Sequence, residues 1–376
     1  MTDSRHADVI ILGAGTMGTA AAWALARRGV DVIAIDRFTH YNTMGSHGGN
    51  TRIFRHCYFE GERYVPWALE ADKLFTELQD RTGLEIQLRV GCLDIGTPEN
   101  GHARNATATA IAHNLPYEKL TAREVNERFP GWNLTDNFEA NLDPDGGVLK
   151  VENTFTAFRS ELLAAGGRIV ENTPVTNWTA TDSGIEVETA DGTFTGKHLI
   201  IAAGAWNTKL LADLGLPMQV TRKPVQWFEV ENIDLFRPER FPSFIIDEDT
   251  VTFYGLPAAS PDSLKMGIHY DTDVVDPDDF QREVQPGDME PYVEFVKLLN
   301  GVHPRAIRSS MCMYTMTPDE DFIIDRHPQH GNVSIAAGFS GHGFKFATVI
   351  GEHLADLATS ASANVIPLFA LSRFKQ

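Results

Sequence analysis

"DVIILGAGTMGTAAAWALARRGVDVIAID", residues 8 to 36, is the stretch on which the fold turns. A short apolar run, three glycines, an alanine-rich segment and a second apolar run ending in an acid read in order as strand, turn, helix and strand. Gly13 permits the tight turn, Gly15 lets backbone come close to a pyrophosphate, and Gly18 lets the helix pack against the sheet. The helix N-terminus then faces the phosphates. Asp36, 23 positions after Gly13, is placed to accept hydrogen bonds from ribose hydroxyls, which argues against a 2′-phosphate. The pattern predicts a dinucleotide site and leaves NAD and FAD open.

Composition narrows the rest. A chain of 376 residues, 43% of them hydrophobic, has material for two domains. With 51 acidic against 32 basic side chains the net charge is −19, which repels polyphosphate backbones, so nucleic acid is not expected as a partner. Three cysteines, Cys57, Cys92 and Cys312, have no metal-ligand spacing and suggest neither a disulfide framework nor a metal site. The run "VIILGAG" is too short for a leader, and no stretch approaches the roughly 20 apolar residues of a membrane span. The expected location is the cytoplasm.

Two later segments bear on the nucleotide. "KHLIIAAGAWNTKLL" (197 to 211) is a buried strand entering a Gly-Ala turn, preceded by a hairpin at Asp191-Gly192. The arrangement resembles the second nucleotide-side element of FAD-binding oxidoreductases, although an ordinary hairpin and strand would read the same way. "VSIAAGFSGHGFKFATVIGEHLADLA" (333 to 358) is a strand, a turn containing Gly338, Gly341 and Gly343, and a helix. Its helix N-terminus with Lys345 at the start would suit the electron-rich edge of a reduced flavin; a loop with a solvated lysine is the plainer reading.

Three features carry polar chemistry. Arg52 and Arg55 lie three apart in "GGNTRIFRH", and a guanidinium fork can hold a carboxylate in two places. In "LKMGIH" a strand would put Lys265 and His269 on one side, with Leu264, Met266 and Ile268 on the other. Cys312 sits between two methionines in "SSMCMYTMTPDEDFIID". By itself each has an ordinary reading: solvated arginines, an edge-strand lysine and a cysteine serving as a small hydrophobe.

Taken together, "ILGAGTMG", "GSHGGNTRIFRH" with "EGERYVP", "AAGAWNTKLL", "FYGLP", "LKMGIH", "MCMYTMTPDEDFIID" and "AAGFSGHGFKF" give the chain a resemblance, over nearly its whole length, to the monomeric sarcosine oxidase and N-methyltryptophan oxidase family. The resemblance implies FAD carried on Cys312 through a thioether to the 8α-methyl carbon. It implies that Arg55 and Lys345 hold the substrate carboxylate, that Arg52 lies near the flavin, and that Lys265 promotes reaction of reduced flavin with oxygen. His269, Tyr254 and Tyr314 would position the amine. His47, Thr51 and Gly341 would join the glycine turn in contacting the cofactor. The chain departs from the family pattern at Gly48 and Asn50, where relatives commonly carry histidine and aspartate.

The expected fold is α/β with two domains. A discontinuous, Rossmann-like FAD-binding domain would comprise residues 1–84, 145–215 and 316–376, and a substrate domain on a largely antiparallel sheet would comprise 85–144 and 216–315. Strand-like pieces at 85–95, 225–230, 251–255 and 264–269 are assigned to that second sheet. Pro66 and Gly83 bracket a predicted helix. The expected reaction is oxidation of sarcosine with oxygen and water to glycine, formaldehyde and hydrogen peroxide by a monomer. Alternatives are an oxidase of N-methyltryptophan or another secondary amino acid, a flavin amine dehydrogenase using another acceptor, and a flavoprotein subunit without catalysis.

Overall fold

A computed structural model describes residues 5–181, 183–248, 250–259, 263–269 and 273–374. The opening segment folds as strand His6–Leu12, helix Thr16–Arg27 and strand Val32–Ile35, the two strands parallel and in register from Val9 opposite Val32 to Leu12 opposite Ile35. The helix is buried along its alanines because a second helix, Ala347–Thr359, crosses it at very short range. A β-carbon added at Gly351 would stand 2.6 Å from the backbone of Ala20, so small residues on both helices set the approach.

These strands belong to an eight-stranded sheet that draws on distant parts of the chain. Gly192–Ile201 pairs in parallel with His6–Leu12 on one side and, through Leu199–Ile201, with Val333–Ala337 on the other. Arg168–Val170 extends the far edge beside Val32–Ile35. The hairpin predicted around Asp191-Gly192 is present as Gly184–Thr189 paired with Gly192–Ile201.

A second eight-stranded sheet follows the order Val302–Met316, Gln219–Val230, Lys265–Ile268, Val251–Leu256, Ser243–Glu248, Cys92–Gly96, Glu139–Asp143, Glu118–Thr121. It is antiparallel except where Ser243–Glu248 meets Cys92–Gly96 in parallel. The fold is thus mixed α/β, one largely parallel sheet with helices and one largely antiparallel sheet. One detail differs from expectation: Gln87–Leu88 joins Thr51–Phe54 and Gly147–Lys150 in a small third sheet. Gly91, with φ 79°, turns the chain between Leu88 and Cys92 and separates the two pieces.

The helix bracketed by Pro66 and Gly83 spans Val65–Thr82 and ends in a left-handed Gly83, whose N–H donates to the Gln79 carbonyl. It buries Val65, Ala68, Ala71, Leu74, Phe75 and Leu78. No helix among the described residues is long and apolar enough to cross a membrane.

Candidate active site

Where the two large sheets meet, a cavity of about 470 Å³ opens above the glycine turn. Gly13, Gly15 and Asp36 line it. Gly13 has φ 95°, and a β-carbon there would fall 2.6 Å from the Ala202 carbonyl, so only glycine lets the two turns pass. A β-carbon at Gly15 would meet nothing closer than His47 Nδ1 at 4.0 Å, leaving its backbone open to the cavity. Gly18 does not line the cavity; its missing side chain lets the helix sit on the Gly13 carbonyl. Asp36 accepts the N–H groups of Ala14 at 2.7 Å and Phe38 at 2.8 Å, which fix its carboxylate at the end of the second strand. Burial raises its pKa.

The lining suits a dinucleotide such as FAD. His47 and Thr315 both line the cavity, and His47 Nε2 and Thr315 Oγ1 are buried with no hydrogen-bond partner among the described residues. Such orphaned polar atoms in a cavity of this size mark a place for a polar ligand. Burial, reinforced by the charge of Arg52, holds His47 neutral with a pKa of about 3.

A much smaller cavity, about 60 Å³, adjoins the first, and Arg52, Tyr314, Gly341 and Phe344 line both. Tyr254, His269, Cys312, Thr51 and Lys345 also face the small one. Gly341, with φ 83°, makes room for Tyr314: a β-carbon there would lie 2.2 Å from the ring. His269 and Tyr314 stand edge to face at 5.8 Å between centroids. Burial pushes Tyr254 up to about 12 and Tyr314 well above the ordinary phenol value, and it holds His269 at about 3, so all three are neutral at physiological pH.

Cys312 is 2% exposed and its thiol donates to the Gly48 carbonyl at 3.1 Å. Arg52 Nη2 lies 3.8 Å from the sulfur and donates to the carbonyls of Ser46 and Gly48, each at 2.6 Å. The guanidinium is therefore fixed by backbone beside the thiol. Lys265 is no edge lysine: its strand lies between Gln219–Val230 and Val251–Leu256, and it is 2% exposed. Its Nζ donates to the carbonyls of Gly49 at 2.7 Å and Thr51 at 2.8 Å. It lines neither cavity and supports the strand that does. Desolvation, with Arg52 nearby, lowers its pKa well below the ordinary lysine value.

Arg55 is 1% exposed and also lines neither cavity. It is ion-paired with Glu60 and, at 3.4 Å, with Asp94. Glu60 does face the small cavity. Although burial alone would raise the Glu60 pKa, the charges of Arg55 and Lys345 hold it at about 2. Asp94 in turn meets His102 at 3.3 Å, and His102 meets Asp247 at 3.1 Å, so the arginine is anchored in a buried chain of alternating charge. Lys345 lies in a short 3-10 turn just before the helix Ala347–Thr359 and faces the small cavity, with burial and Arg55 lowering its pKa to about 7.

Motif reading thus brings Arg52, Tyr254, His269, Tyr314, Lys345 and Cys312 around one small space. It passed over Glu60 and Asp94, and it also passed over Tyr58 and His342. Glu60 and His342 lie inside the quoted motifs, so their positions were visible but their partners were not.

The family model for FAD dependent oxidoreductases matches residues 8–357. A monomeric sarcosine oxidase of Bacillus sp. (strain NS-129) is 39% identical, covering 98% of this chain and 97% of the relative. An N-methyl-L-tryptophan oxidase of Yersinia pestis (strain Pestoides F) is 34% identical, covering 98% and 99%. Among solved structures, the open form of NikD, described as an unusual amino acid oxidase essential for nikkomycin biosynthesis, superposes with a TM-score of 0.86 at 25% identity, covering 98% of each chain.

Proposed function

The chain belongs to the FAD-dependent oxidoreductases, and on that premise we propose that it is an oxidase of N-methyl amino acids whose first substrate is sarcosine. The observation that carries the choice of substrate is the size and lining of the small cavity. At about 60 Å³ it is far below the several hundred Å³ of sites for drug-sized ligands, and it is walled by Tyr254, Tyr314 and Phe344. A methyl and a carboxylate on one amine suit that space better than an indole would.

In this reading Gly13, Gly15 and Asp36 hold the adenosine and pyrophosphate, His47, Thr51 and Gly341 contact the ring system, and Cys312 carries the cofactor through a thioether. FAD supplies, when bound, the two-electron oxidation of the N-methyl carbon, with oxygen as the final acceptor. The protein's own part is positioning and charge. Lys345 holds the substrate carboxylate, joined by Arg55 where the carboxylate shares it with Glu60 or displaces that glutamate, and neutral His269, Tyr254 and Tyr314 orient the amine without competing for its charge. Lys265, fixed by two carbonyl oxygens, offers positive charge to oxygen as it is reduced. The polypeptide acts as a monomer.

Anaerobic mixing with sarcosine tests the reading. Rapid bleaching of the yellow enzyme, followed in air by formaldehyde and peroxide, is the expected result. Bleaching without peroxide in air would replace the oxidase with a dehydrogenase, and no bleaching with any N-methyl amino acid would reject the proposal.

A further inference from the structure

The Tyr58 hydroxyl lies 2.6 Å from His342 Nδ1, and His342 Nε2 lies 3.0 Å from the Glu320 carbonyl oxygen. A carbonyl can only accept, so Nε2 carries the imidazole proton and Nδ1 is left with a lone pair. The Tyr58 hydroxyl must therefore donate to Nδ1. Its own oxygen then has lone pairs to offer, and Lys345 Nζ donates to it at 3.3 Å while also donating to the His342 carbonyl at 3.1 Å. Two of the three ammonium hydrogens are thus taken by fixed acceptors, and Lys345 faces the small cavity.

Each part of the chain is held from behind. Glu320 sits at φ 61°, a left-handed backbone that a non-glycine residue seldom adopts. His342 packs at 4.5 Å on Phe322 and edge-on to Tyr64 at 5.2 Å. Tyr64 is itself fixed by a 2.8 Å hydrogen bond to Asp321.

We propose that Tyr58 and His342 are positioning residues for Lys345, a relay in which the Glu320 carbonyl selects the histidine tautomer, the histidine orients the tyrosine hydroxyl, and the hydroxyl holds the ammonium toward a substrate carboxylate. The proposal rests on the reading of the small cavity as a carboxylate site. The groups that face Lys345 electrostatically are Arg55, which opposes its charge, and Glu60, Cys92 and Asp94, which favour it; His269 and His342 are the nearby imidazoles. Burial keeps His342 neutral, with a pKa of about 4, so the tautomer does not change between pH 6 and 9.

The test measures acetate binding to the holoenzyme from the perturbation of its flavin absorbance between pH 6 and 9, in wild type and in Y58F, H342L and H342N. Acetate binding reads the anion site whether or not sarcosine is turned over, so failure of the substrate assignment leaves this result intact. Removing an acceptor from a charged donor should weaken acetate binding roughly tenfold in Y58F. It should also move the pH at which binding is lost downward, because the ammonium form has lost a hydrogen bond. H342L should behave like Y58F, while H342N, whose amide oxygen can stand near the Nδ1 position, should recover most of the affinity. Unchanged midpoints in Y58F and H342L would overturn the relay. Equal losses in H342L and H342N with no shift in midpoint would reduce His342 to packing, and absence of acetate binding in wild type would remove Lys345 from any anion site.

Discussion

Lys265 Nζ and the Gly49 carbonyl oxygen are 2.7 Å apart, a buried contact that joins the middle of the antiparallel sheet to the turn leading into the strand that carries Arg52. The same ammonium also meets the Thr51 carbonyl, so its charge cannot wander. Replacing Lys265 by Met should slow reoxidation of reduced enzyme by about a hundredfold or more while slowing anaerobic reduction far less. Double-mixing stopped flow separates the two rates, and equal slowing of both would assign the residue to structure alone. Because burial depresses its pKa, reoxidation should slow as pH rises through that pKa and the positive charge is lost.

Cys312 stands between a carbonyl that its thiol reaches and a guanidinium 3.8 Å away. Acid precipitation of wild type should leave the yellow colour and the mass of FAD with the protein, whereas Cys312→Ser should release both into the supernatant. Intact-mass measurement of the two proteins decides it, and free flavin from both would remove the thioether.

Glu60 occupies the charge of Arg55 from the side of the small cavity. A substrate carboxylate must share that arginine or displace the glutamate. Glu60→Gln should therefore tighten inert carboxylates by about threefold to tenfold, titrated against flavin absorbance. Weaker binding would show that Glu60 helps the site. The glutamate also contributes to stability above its unfolded pKa near 4.5, a contribution lost as pH falls toward about 2.

Two buried histidines make stability depend on alkaline pH. His56 lies between Asp143 and Asp72, and His102 lies between Asp247 and Asp94; burial opposes their charge, but the paired carboxylates raise each pKa to about 9. A group whose pKa is raised on folding contributes fully below its unfolded value, about 6.5, and loses that contribution as pH climbs through about 9. Each histidine should account for about 3 kcal/mol of stability that disappears over this window. Denaturant unfolding at pH 6.5 and 9.5 should show the fall, and His102→Gln should remove about half of it. A flat profile in wild type would contradict the assignment.

How much of this was legible in the sequence depended on distance along the chain. Gly13 to Asp36 declared a nucleotide turn because strand, turn, helix and acid follow one another locally, and Pro66 with Gly83 marked both ends of one helix for the same reason. Lys265 was ambiguous because the strand order that buries it brings together segments 219–230, 251–256 and 265–268, and order in a sheet is not written in alternation. The Tyr58 and His342 pair is separated by 284 positions, and nothing local in either segment signals the other. Motif resemblance grouped the residues around the small cavity, yet it could not show that Arg55 already has two carboxylates as neighbours.

The strand Val333–Ala337 lies directly beside Gly192–Ile201, and the turn that follows it, with Gly338, Gly341 and Gly343, closes one wall of the large cavity. During synthesis, the turn at Gly13 leaves the ribosome long before the turn at Gly338, and the pocket does not exist until both are out. Cofactor capture is therefore a late event in the life of each molecule, and the early strands must be kept from pairing wrongly until then.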